Sequence, residues 1–324
     1  MADANNPFIS VIIPSYNAYR TIGRTITEIK KQRSGGMLLE IIVVDSSDDE
    51  QTKTLLNSFE GDGLRVITSG IRVMPAIQRN IGARAAKGKL LVFIDSDAYP
   101  DPDWLQKISE AYSKGYRVGG GSYLVPEEQL KNKQIVAQYY FEFGEYIPAG
   151  RIRKKKMAPT CNLFCDRELF FEAGEIPVIR ASEDTLFGLN VNKISPLYFF
   201  PEIKVYHVFR EDPKHALSNQ NLIGKFIIIY RRIYYKGIYG SKISLLVLYP
   251  MIICYKFFNV YLRNLFPEPR HFLKLNTVLF KFIQCTWYWA GGAFQGIFYD
   301  VINDPDNSMP DEIKSVSSSP SVQM

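Results

Sequence analysis

Cysteine and histidine are scarce in this chain of 324 residues, with four and three copies respectively. The cysteines at positions 161, 165, 254 and 285 show no pairing pattern, and no secretory signal precedes the first predicted strand. We therefore expect a cytosolic protein whose thiols are reduced. A single pair of cysteines four residues apart is too little to indicate a zinc site, so Cys161 and Cys165 are expected to pack in the core.

The sequence also lacks two glycine-rich nucleotide motifs. No Gly-x-Gly-x-x-Gly follows the first predicted strand, and no Gly-Lys-Ser or Gly-Lys-Thr occurs. These absences exclude the dinucleotide-binding and P-loop classes of α/β protein. The net charge of +6 is modest, and no nucleic-acid partner is expected.

The first half of the chain alternates predicted strands and helices. Apolar runs predict strands at residues 8–13, 38–44, 64–68 and 90–94. Amphipathic segments between and after them predict helices at residues 19–32, 75–86 and 103–114. The run 90–94 has five large apolar residues in succession, which is typical of a strand buried on both faces. This alternation predicts an α/β fold with a doubly wound, mostly parallel sheet.

Polar side chains follow three of these strands where each strand ends. Ser15 and Asn17 follow the first, Asp45 follows the second, and Asp95 and Asp97 follow the run 90–94. Because the carboxyl ends of parallel strands meet at one edge of a sheet, we expect a shared ligand site there. Asp95 and Asp97 would repel each other unless a cation lies between them, which favours a divalent metal. The alternative is that Asp95 is a turn residue and Asp97 caps the next helix.

Five segments together resemble the family 2 glycosyltransferases in their order and spacing, across about residues 8–210. They are Pro14-Ser-Tyr-Asn17, Val44-Asp45, Arg79-Asn80-Ile-Gly82, Asp95-Ser-Asp97 and Glu183-Asp184. Several linked motifs over such a span are far more specific than one motif alone. The resemblance implies the GT-A fold and a nucleotide-diphosphate sugar as the donor.

The resemblance also implies roles for individual residues. Asp97 would coordinate Mn²⁺ or Mg²⁺, with Asp95 and His207 as further metal ligands, and Asn162 would face the acceptor. Arg79 would lie near the base or the diphosphate, although it could instead be a solvated charge on a helix face. The donor-binding set would be Pro14, Ser15, Tyr16, Asn17, Asp45, Arg79, Asn80, Asp95 and Ser96.

Glu183 and Asp184 open a predicted helix and form the second chemical centre. A carboxylate pair at such a position is most often a capping and dipole feature. Sugar hydroxyls are poor nucleophiles at neutral pH, however, so a transferase needs a positioned carboxylate base. By resemblance, Asp184 would accept the proton of the attacking hydroxyl, and Glu183 would support its orientation.

The expected reaction is a metal-dependent, inverting transfer of a single sugar to an acceptor hydroxyl. Inversion is implied by the family, and single addition is favoured because the Gln-x-x-Arg-Trp motif of processive synthases is missing. Two alternatives stay open. One is a sugar-phosphate nucleotidyltransferase, which would release pyrophosphate, and the other is a catalytically inactive GT-A-like scaffold.

The composition becomes aromatic, aliphatic and basic after residue 212. No uncharged apolar run there reaches the roughly 20 residues that a membrane span needs. Residues 243–255 carry no charge, and the second apolar stretch, 277–299, contains Lys281. Aromatic rings and basic residues beside these runs favour helices lying in the interface of an anionic membrane. A spanning helix, or packing in the core or at a dimer interface, is the alternative.

Three regions are therefore expected. They are a GT-A catalytic domain at 1–212, a membrane-associating helical region at 213–302 and a disordered tail at 303–324. The protein would lie on the cytoplasmic face of the cell membrane, peripheral or monotopic. A membrane-held enzyme would meet a lipid-linked acceptor or a growing surface glycan.

Overall fold

A nine-stranded mixed sheet lies at the centre of residues 9–32, 39–234, 240–263 and 269–299, which are the residues that the computed structural model describes. The predicted tail at 303–324 falls outside them. The strands are β1 (Ile9–Ser15), β2 (Leu39–Asp45), β3 (Leu64–Thr68), β4 (Leu90–Ile94), β5 (Ala98–Pro100), β6 (Val118–Leu124), β7 (Arg153–Lys154), β8 (Asn162–Asp166) and β9 (Tyr198–His207). Their order across the sheet is β3-β2-β1-β4-β8-β6-β9-β5, and β7 pairs with β9.

Parallel pairing joins the first four strands, as the alternation of strands and helices predicts. Strands β6 and β9 are also parallel, whereas β8 runs antiparallel between β4 and β6. The short strands β5 and β7 are antiparallel to β9. The predicted α/β class is therefore confirmed, and the antiparallel insertion of β8 is the feature that the sequence pattern did not reveal.

Eleven α-helices occur in the described part of the chain. Asp49 begins the second of them by accepting the Thr52 N–H at 2.6 Å, and Pro75 opens the third, where its missing N–H has no consequence. The helices are α1 (Ile22–Lys30), α2 (Glu50–Phe59), α3 (Pro75–Ala85), α4 (Trp104–Ser113), α5 (Lys133–Phe143), α6 (Arg167–Glu172), α7 (Glu183–Val191), α8 (Pro213–Tyr234), α9 (Lys242–Leu262), α10 (Pro269–Asn276) and α11 (Leu279–Phe298).

Side chains of the central strands alternate between two hydrophobic layers. In β4, Leu91 and Phe93 lie on one face of the sheet and pack in a layer with α3, α6 and α7. Leu90, Val92 and Ile94 pack on the opposite face. All five are fully buried, which is why this strand has no polar position. The cysteines at 161 and 165 are buried and unpaired in these layers, as predicted.

Helices α8 and α11 pack closely through glycines. A Cβ on Gly224 would lie 2.0 Å from the carbonyl oxygen of Trp289, and a Cβ on Gly292 would lie 1.8 Å from that of Asn221. Only glycine allows two helix backbones to approach so closely. Phe282 of α11 packs 5.4 Å from Phe141 of α5, ring centre to ring centre, so the C-terminal helices join the core of the sheet.

Helix α9 exposes an apolar face. Among the described residues, α9 is the one helix that is long enough and apolar enough to cross a membrane, and its mean hydropathy is 1.7. Its exposed apolar stripe, at spacings of three and four residues, consists of Ile243, Val247, Met251, Tyr255, Phe258 and Leu262. On α11 the exposed apolar residues are Phe280, Ile283, Trp287, Tyr288, Phe294 and Phe298.

Candidate active site

The carboxyl ends of β1 and β2 meet in register and carry a polar network. The side chain of Ser47 accepts the Asn17 N–H at 2.8 Å and donates to Asp45 Oδ1 at 2.6 Å. Asn17 has a left-handed backbone with φ of 50°, and its amide donates to Asp48 Oδ1 at 2.6 Å. The Tyr16 hydroxyl donates to the other oxygen of Asp48 at 3.2 Å. Hydrogen bonds therefore hold the Tyr16 ring and the carboxylates of Asp45 and Asp48 in place at this edge of the sheet.

Gln78 joins the ends of β1 and β2 through hydrogen bonds, and the sequence did not predict this residue. Its buried amide donates to the carbonyl oxygens of Ser15 and Val44 at 2.6 and 2.9 Å. No sequence signal marks this residue, because its acceptors belong to two separate strands. Pro14 and Ser15 are themselves buried, so the accessible part of the predicted donor motif is Tyr16 and Asn17.

Arg79 is buried at the centre of the site. It is only 3% exposed, forms an ion pair with Asp95, and places Nη1 at 3.7 Å from Glu183 Oε1. Burial alone would lower the pKa of Arg79, but the charges of Asp95 and Glu183 more than offset it and raise that pKa. The solvated helix-face interpretation of Arg79 is therefore wrong.

Glu183 and Asp184 open α7 next to Arg79. The preceding residue, Ser182, has a left-handed backbone with φ of 72°, and Asp184 Oδ1 accepts the Thr185 N–H at 2.7 Å. Burial and the charge of Asp184 raise the pKa of Glu183 to about 7. Burial raises the pKa of Asp184 to about 6, against the opposing effects of the Thr185 N–H and Arg79. Asp184 is therefore ionised at neutral pH and still basic enough to accept a proton.

Asp97 and His207 face each other at the ends of β4 and β9. His207 Nε2 lies 3.6 Å from Asp97 Oδ1, because Ala98 pairs with His207 in the sheet. The rings of Phe143 and Phe209 flank the imidazole at 5.5 and 4.7 Å between ring centres. Burial raises the pKa of Asp97, and the nearby His207 opposes that rise.

The donor set at Asp97 and His207 fits a divalent cation. No group of three or more His, Cys, Asp or Glu side chains is assembled for a metal anywhere in the described ranges. A carboxylate with one imidazole would leave coordination positions for substrate oxygens. His207 Nδ1 is buried without a hydrogen-bond partner among the described residues. Asp95, the other predicted ligand, is paired with Arg79, and its role as a metal ligand stays a prediction.

Asn80 makes hydrogen bonds within the protein through its side chain, whereas the bond shown for Ser96 uses its backbone carbonyl, so its donor contact stays a prediction. The Asn80 amide donates to the Ile176 carbonyl oxygen at 2.8 Å and its oxygen accepts the Ile176 N–H at 3.1 Å. The carbonyl oxygen of Ser96 accepts the Thr25 hydroxyl at 3.1 Å. The structure therefore gives Asn80 a structural role in place of the predicted donor contact.

Asn162 is likewise a structural residue. Its oxygen accepts the Trp104 indole N–H at 2.9 Å, and its amide donates to the carbonyl oxygens of Ser122 and Ile203 at 3.0 Å each. The side chain is 1% exposed and its hydrogen-bonding capacity is used within the protein. The predicted acceptor contact is therefore wrong for this residue.

One cavity of about 330 Å³ brings the two chemical centres together. Its first wall contains five of the site residues that the sequence predicts: Arg79, Asp95, Glu183, Asp184 and His207. Its second wall comes from α5, the segment after it and the C-terminal helices, and includes Glu142, Tyr146, Gln220, Ile223, Ile227 and Lys256. The residues that α8 and α9 contribute to this wall were not predicted, because their segments have a membrane-facing composition.

Known proteins resemble this chain in sequence. Glycosyltransferase AglE of Haloferax volcanii is 28% identical over 174 residues, which cover 53% of this chain and 56% of AglE. The Escherichia coli UDP-Glc:alpha-D-GlcNAc-diphosphoundecaprenol beta-1,3-glucosyltransferase WfgD is 28% identical over 158 residues, covering 48% of this chain and 57% of WfgD. The chain thus spans about half the length of these relatives.

The fold is shared with a solved structure and the family is shown by sequence. The crystal structure of GalNAc-T7 with UDP, GalNAc and Mn²⁺ matches with a TM-score of 0.50 and 20% identity, over 64% of this chain and 44% of that one. This agreement shows the GT-A fold. Residues 10–172, half of the chain, match the family model described as Glycosyl transferase family 2. The chain therefore belongs to glycosyl transferase family 2.

Proposed function

We propose that this protein is a metal-dependent, inverting glycosyltransferase that moves one sugar from a nucleotide-diphosphate sugar to a hydroxyl of a lipid-linked acceptor. The observation that carries this proposal is a single cavity that is lined by the carboxylate of Asp184, by the Arg79–Asp95 pair and by His207. Family membership supports sugar transfer. The chemistry of these residues supports separate roles for them in donor binding, metal binding and proton transfer.

Donor binding falls to the sheet edge. The ring of Tyr16, held by the guanidinium of Arg72 at 4.4 Å, offers a face on which a nucleotide base can stack. Asp45 is fixed by Ser47 and offers an acceptor for base or ribose donors. The buried Arg79 guanidinium, whose Nε and Nη1 make no hydrogen bonds among the described residues, holds Asp95 at the sheet edge through their ion pair.

Asp97 and His207 would hold Mn²⁺ or Mg²⁺ beside the diphosphate. A divalent cation there would neutralise the charge that the nucleoside diphosphate gains as it leaves. The protein's part is to keep Asp97 next to the His207 imidazole, which two phenylalanine rings flank.

Asp184 acts as the general base. It takes the proton of the acceptor hydroxyl as that oxygen forms a bond to the anomeric carbon, and the electron pair of the broken bond leaves with the diphosphate. One displacement from the opposite face inverts the anomeric centre. Glu183, paired with Arg79 at 3.7 Å, keeps the base at the correct depth in the cavity.

The exposed apolar residues of α9 and α11 support a membrane-held enzyme. Trp287 is 78% exposed and Val247 is 73% exposed, which is uncommon for such side chains on a soluble surface. WfgD, a relative, is named for an acceptor linked to diphosphoundecaprenol. A lipid-linked acceptor on the cytoplasmic face of the cell membrane fits both observations.

The test is a donor screen with purified protein, Mn²⁺ and common nucleotide sugars. We expect release of a nucleoside diphosphate from one donor, abolished in Asp184→Asn when acceptor is supplied. Release of pyrophosphate would instead indicate a nucleotidyltransferase. Failure to bind any nucleoside diphosphate with Mn²⁺ would indicate an inactive scaffold.

A further inference from the structure

Lys256 is the one basic residue that lines the cavity from the C-terminal helices. It lies on α9, across the cavity from Asp184, and its ammonium has no carboxylate within ion-pair distance in the described part of the chain. The rings of Phe141 and Trp289 lie 4.7 and 5.6 Å from its Nζ. A cation shielded by aromatic rings and left without a counter-ion is a site that an anion would complete.

A second cation, Arg263, lies near Lys256 and shares its ion-pair partner, Glu145, with Lys155. Arg263, one residue past the end of α9, places Nη1 at 3.1 Å from Glu145 Oε2. The other oxygen of Glu145 pairs with Lys155. Glu145 therefore pairs with two cations, whereas Lys256 has no ion-pair partner among the described residues. Burial and the charge of Arg263 lower the pKa of Lys256 to about 8, against the opposing charges of Glu145 and Glu142.

Two polar side chains, Glu142 and Gln220, line the same cavity as Lys256, beside the apolar Ile223 and Ile227. Glu142 of α5 accepts the amides of Gln138 and Asn219 at 3.0 Å and that of Gln220, and all three bonds go to Oε1. No described residue donates to Oε2, and the oxygen of Gln220 is buried without a hydrogen-bond partner among them. Sugar hydroxyls would satisfy such acceptors.

Lys256 also lies at the border of the exposed apolar stripe of α9. Its neighbours Tyr255 and Phe258 are 68% and 53% exposed on the outer face of the same turn. These surfaces would suit a ligand with three parts. An apolar end would contact the exposed stripe of α9, an anionic middle would contact Lys256, and a sugar at the other end would contact Glu142, Gln220 and Asp184.

We propose that Lys256 and Arg263 form a subsite for the phosphate group of a lipid-linked acceptor, whose hydrocarbon chain lies along the exposed stripe of α9 and whose sugar points to Asp184. This inference rests on the proposed glycosyltransferase function and names the part of the molecule that recognises the acceptor. The phosphate is that of the acceptor, and neither a bulk phospholipid headgroup nor the donor diphosphate is its main ligand.

The test measures binding of farnesyl diphosphate, a short lipid diphosphate, by isothermal titration calorimetry. Lys256→Met keeps the length and helix preference of the side chain but removes its charge, and we expect the Kd to rise about ten- to hundred-fold. Lys256→Arg should keep most of the affinity. Lys242→Met removes the same charge from the exposed start of α9, about 21 Å away, and should change the Kd less than about two-fold.

Three further titrations separate the sources of phosphate. Farnesol, which lacks the charge, should bind wild type and Lys256→Met equally, and phosphatidylglycerol vesicles should compete poorly with farnesyl diphosphate. Binding of nucleoside diphosphate with Mn²⁺ should be unchanged in Lys256→Met, which also shows that the variant is folded. Arg263→Gln, at the helix end, should weaken farnesyl diphosphate by a smaller factor and serves if Lys256→Met does not fold.

The outcomes are distinct. Equal binding of farnesyl diphosphate by wild type, Lys256→Met and Arg263→Gln would overturn the subsite, as would an equal loss in Lys242→Met or full competition by the vesicles. A loss of nucleoside diphosphate binding in Lys256→Met alone would move this residue to the donor site. Absence of nucleoside diphosphate binding in the wild type would defeat the proposed function itself.

Discussion

Arg79 Nη1 lies 3.7 Å from Glu183 Oε1 while the same guanidinium is paired with Asp95. Arg79 belongs to α3, Asp95 follows β4, and Glu183 opens α7. One buried cation thus links the donor edge of the sheet to the helix that carries the base. Its positive charge favours the charged form of Glu183, against the burial that raises the pKa of that residue.

Replacing Arg79 by methionine should destabilise the fold as well as abolish activity. The change leaves Asp95 and Glu183 without their counter-charge, and breaking a buried pair from one side costs about 3–5 kcal/mol. Urea unfolding at pH 7 would measure this loss. Arg84→Met on the same helix is the matched control, because Arg84 is more exposed and pairs with Glu175 at 2.5 Å. We expect it to cost less than about 1 kcal/mol, and equal losses would contradict the central role of Arg79.

Replacing Asp184 by asparagine should lower kcat without weakening donor binding. The base acts on the acceptor hydroxyl, and removing a positioned base typically costs about 10²–10⁴ in rate. Steady-state kinetics and calorimetric titration of the nucleoside diphosphate would separate the two effects. If Asp184→Asn lost donor affinity and kept its rate at saturation, Asp184 would be a donor ligand and not the base.

The acid side of the pH–rate profile should report Asp184. Its pKa is raised to about 6, so the carboxylate is protonated and inactive below that pH, and kcat/KM should fall about ten-fold per pH unit there. The same raised pKa means that ionised Asp184 opposes folding: its contribution to stability is full below about pH 4 and is lost as the pH rises through 6. Asp184→Asn should therefore resist urea better than wild type at pH 8 and lose this advantage at pH 4. An unchanged advantage at both pH values would show that Asp184 does not titrate as stated.

The sheet edge could be predicted from the sequence, because apolar runs and the residues that end them are local signals. Ser15 and Asp45 do meet in register at the ends of β1 and β2. Asn162 and Asn80 could not be placed correctly, because their hydrogen-bond partners are 58 and 96 residues away at the furthest and are fixed only by tertiary packing. The second cavity wall escaped for the same reason: the apolar stretches that contain Ile227 and Lys256 have the composition of a membrane-facing segment, and composition does not say which face turns inward.

Replacing Asp97 by asparagine should remove the metal dependence of donor binding. The variant keeps the shape of the side chain but loses the charge that would hold Mn²⁺ beside His207. Calorimetric titration of the nucleoside diphosphate with and without Mn²⁺ measures this directly, and we expect the metal to strengthen binding in wild type only. Asp103→Asn is the control, since Asp103 lies further along the chain, after β5, and pairs with Lys107 of α4 at 2.7 Å. Persistent metal dependence in Asp97→Asn would remove Asp97 from the site.

Membrane binding should depend on the exposed stripe of α9. Truncation of the C-terminal helices would open the core around Phe282, so substitutions on the surface are the cleaner test. The double variant Val247→Gln, Met251→Gln changes two side chains that are 73% and 67% exposed, and it should leave urea stability unchanged. Losing part of the apolar burial of two side chains should reduce binding to anionic vesicles about ten-fold or more.

Flotation of the protein with vesicles would measure the effect of this double variant, with Ile71→Gln, Ile194→Gln as the matched control on the catalytic side. Both control residues are exposed isoleucines far in sequence from α9, so their replacement should leave flotation unchanged. Wild type should bind anionic vesicles more strongly than neutral ones, because Lys and Arg residues beside the stripe each add about 1 kcal/mol near an anionic surface. Resistance of the wild type to both high salt and carbonate would show that α9 crosses the bilayer, whereas equal flotation of all variants would mean that the stripe serves packing between copies of the chain.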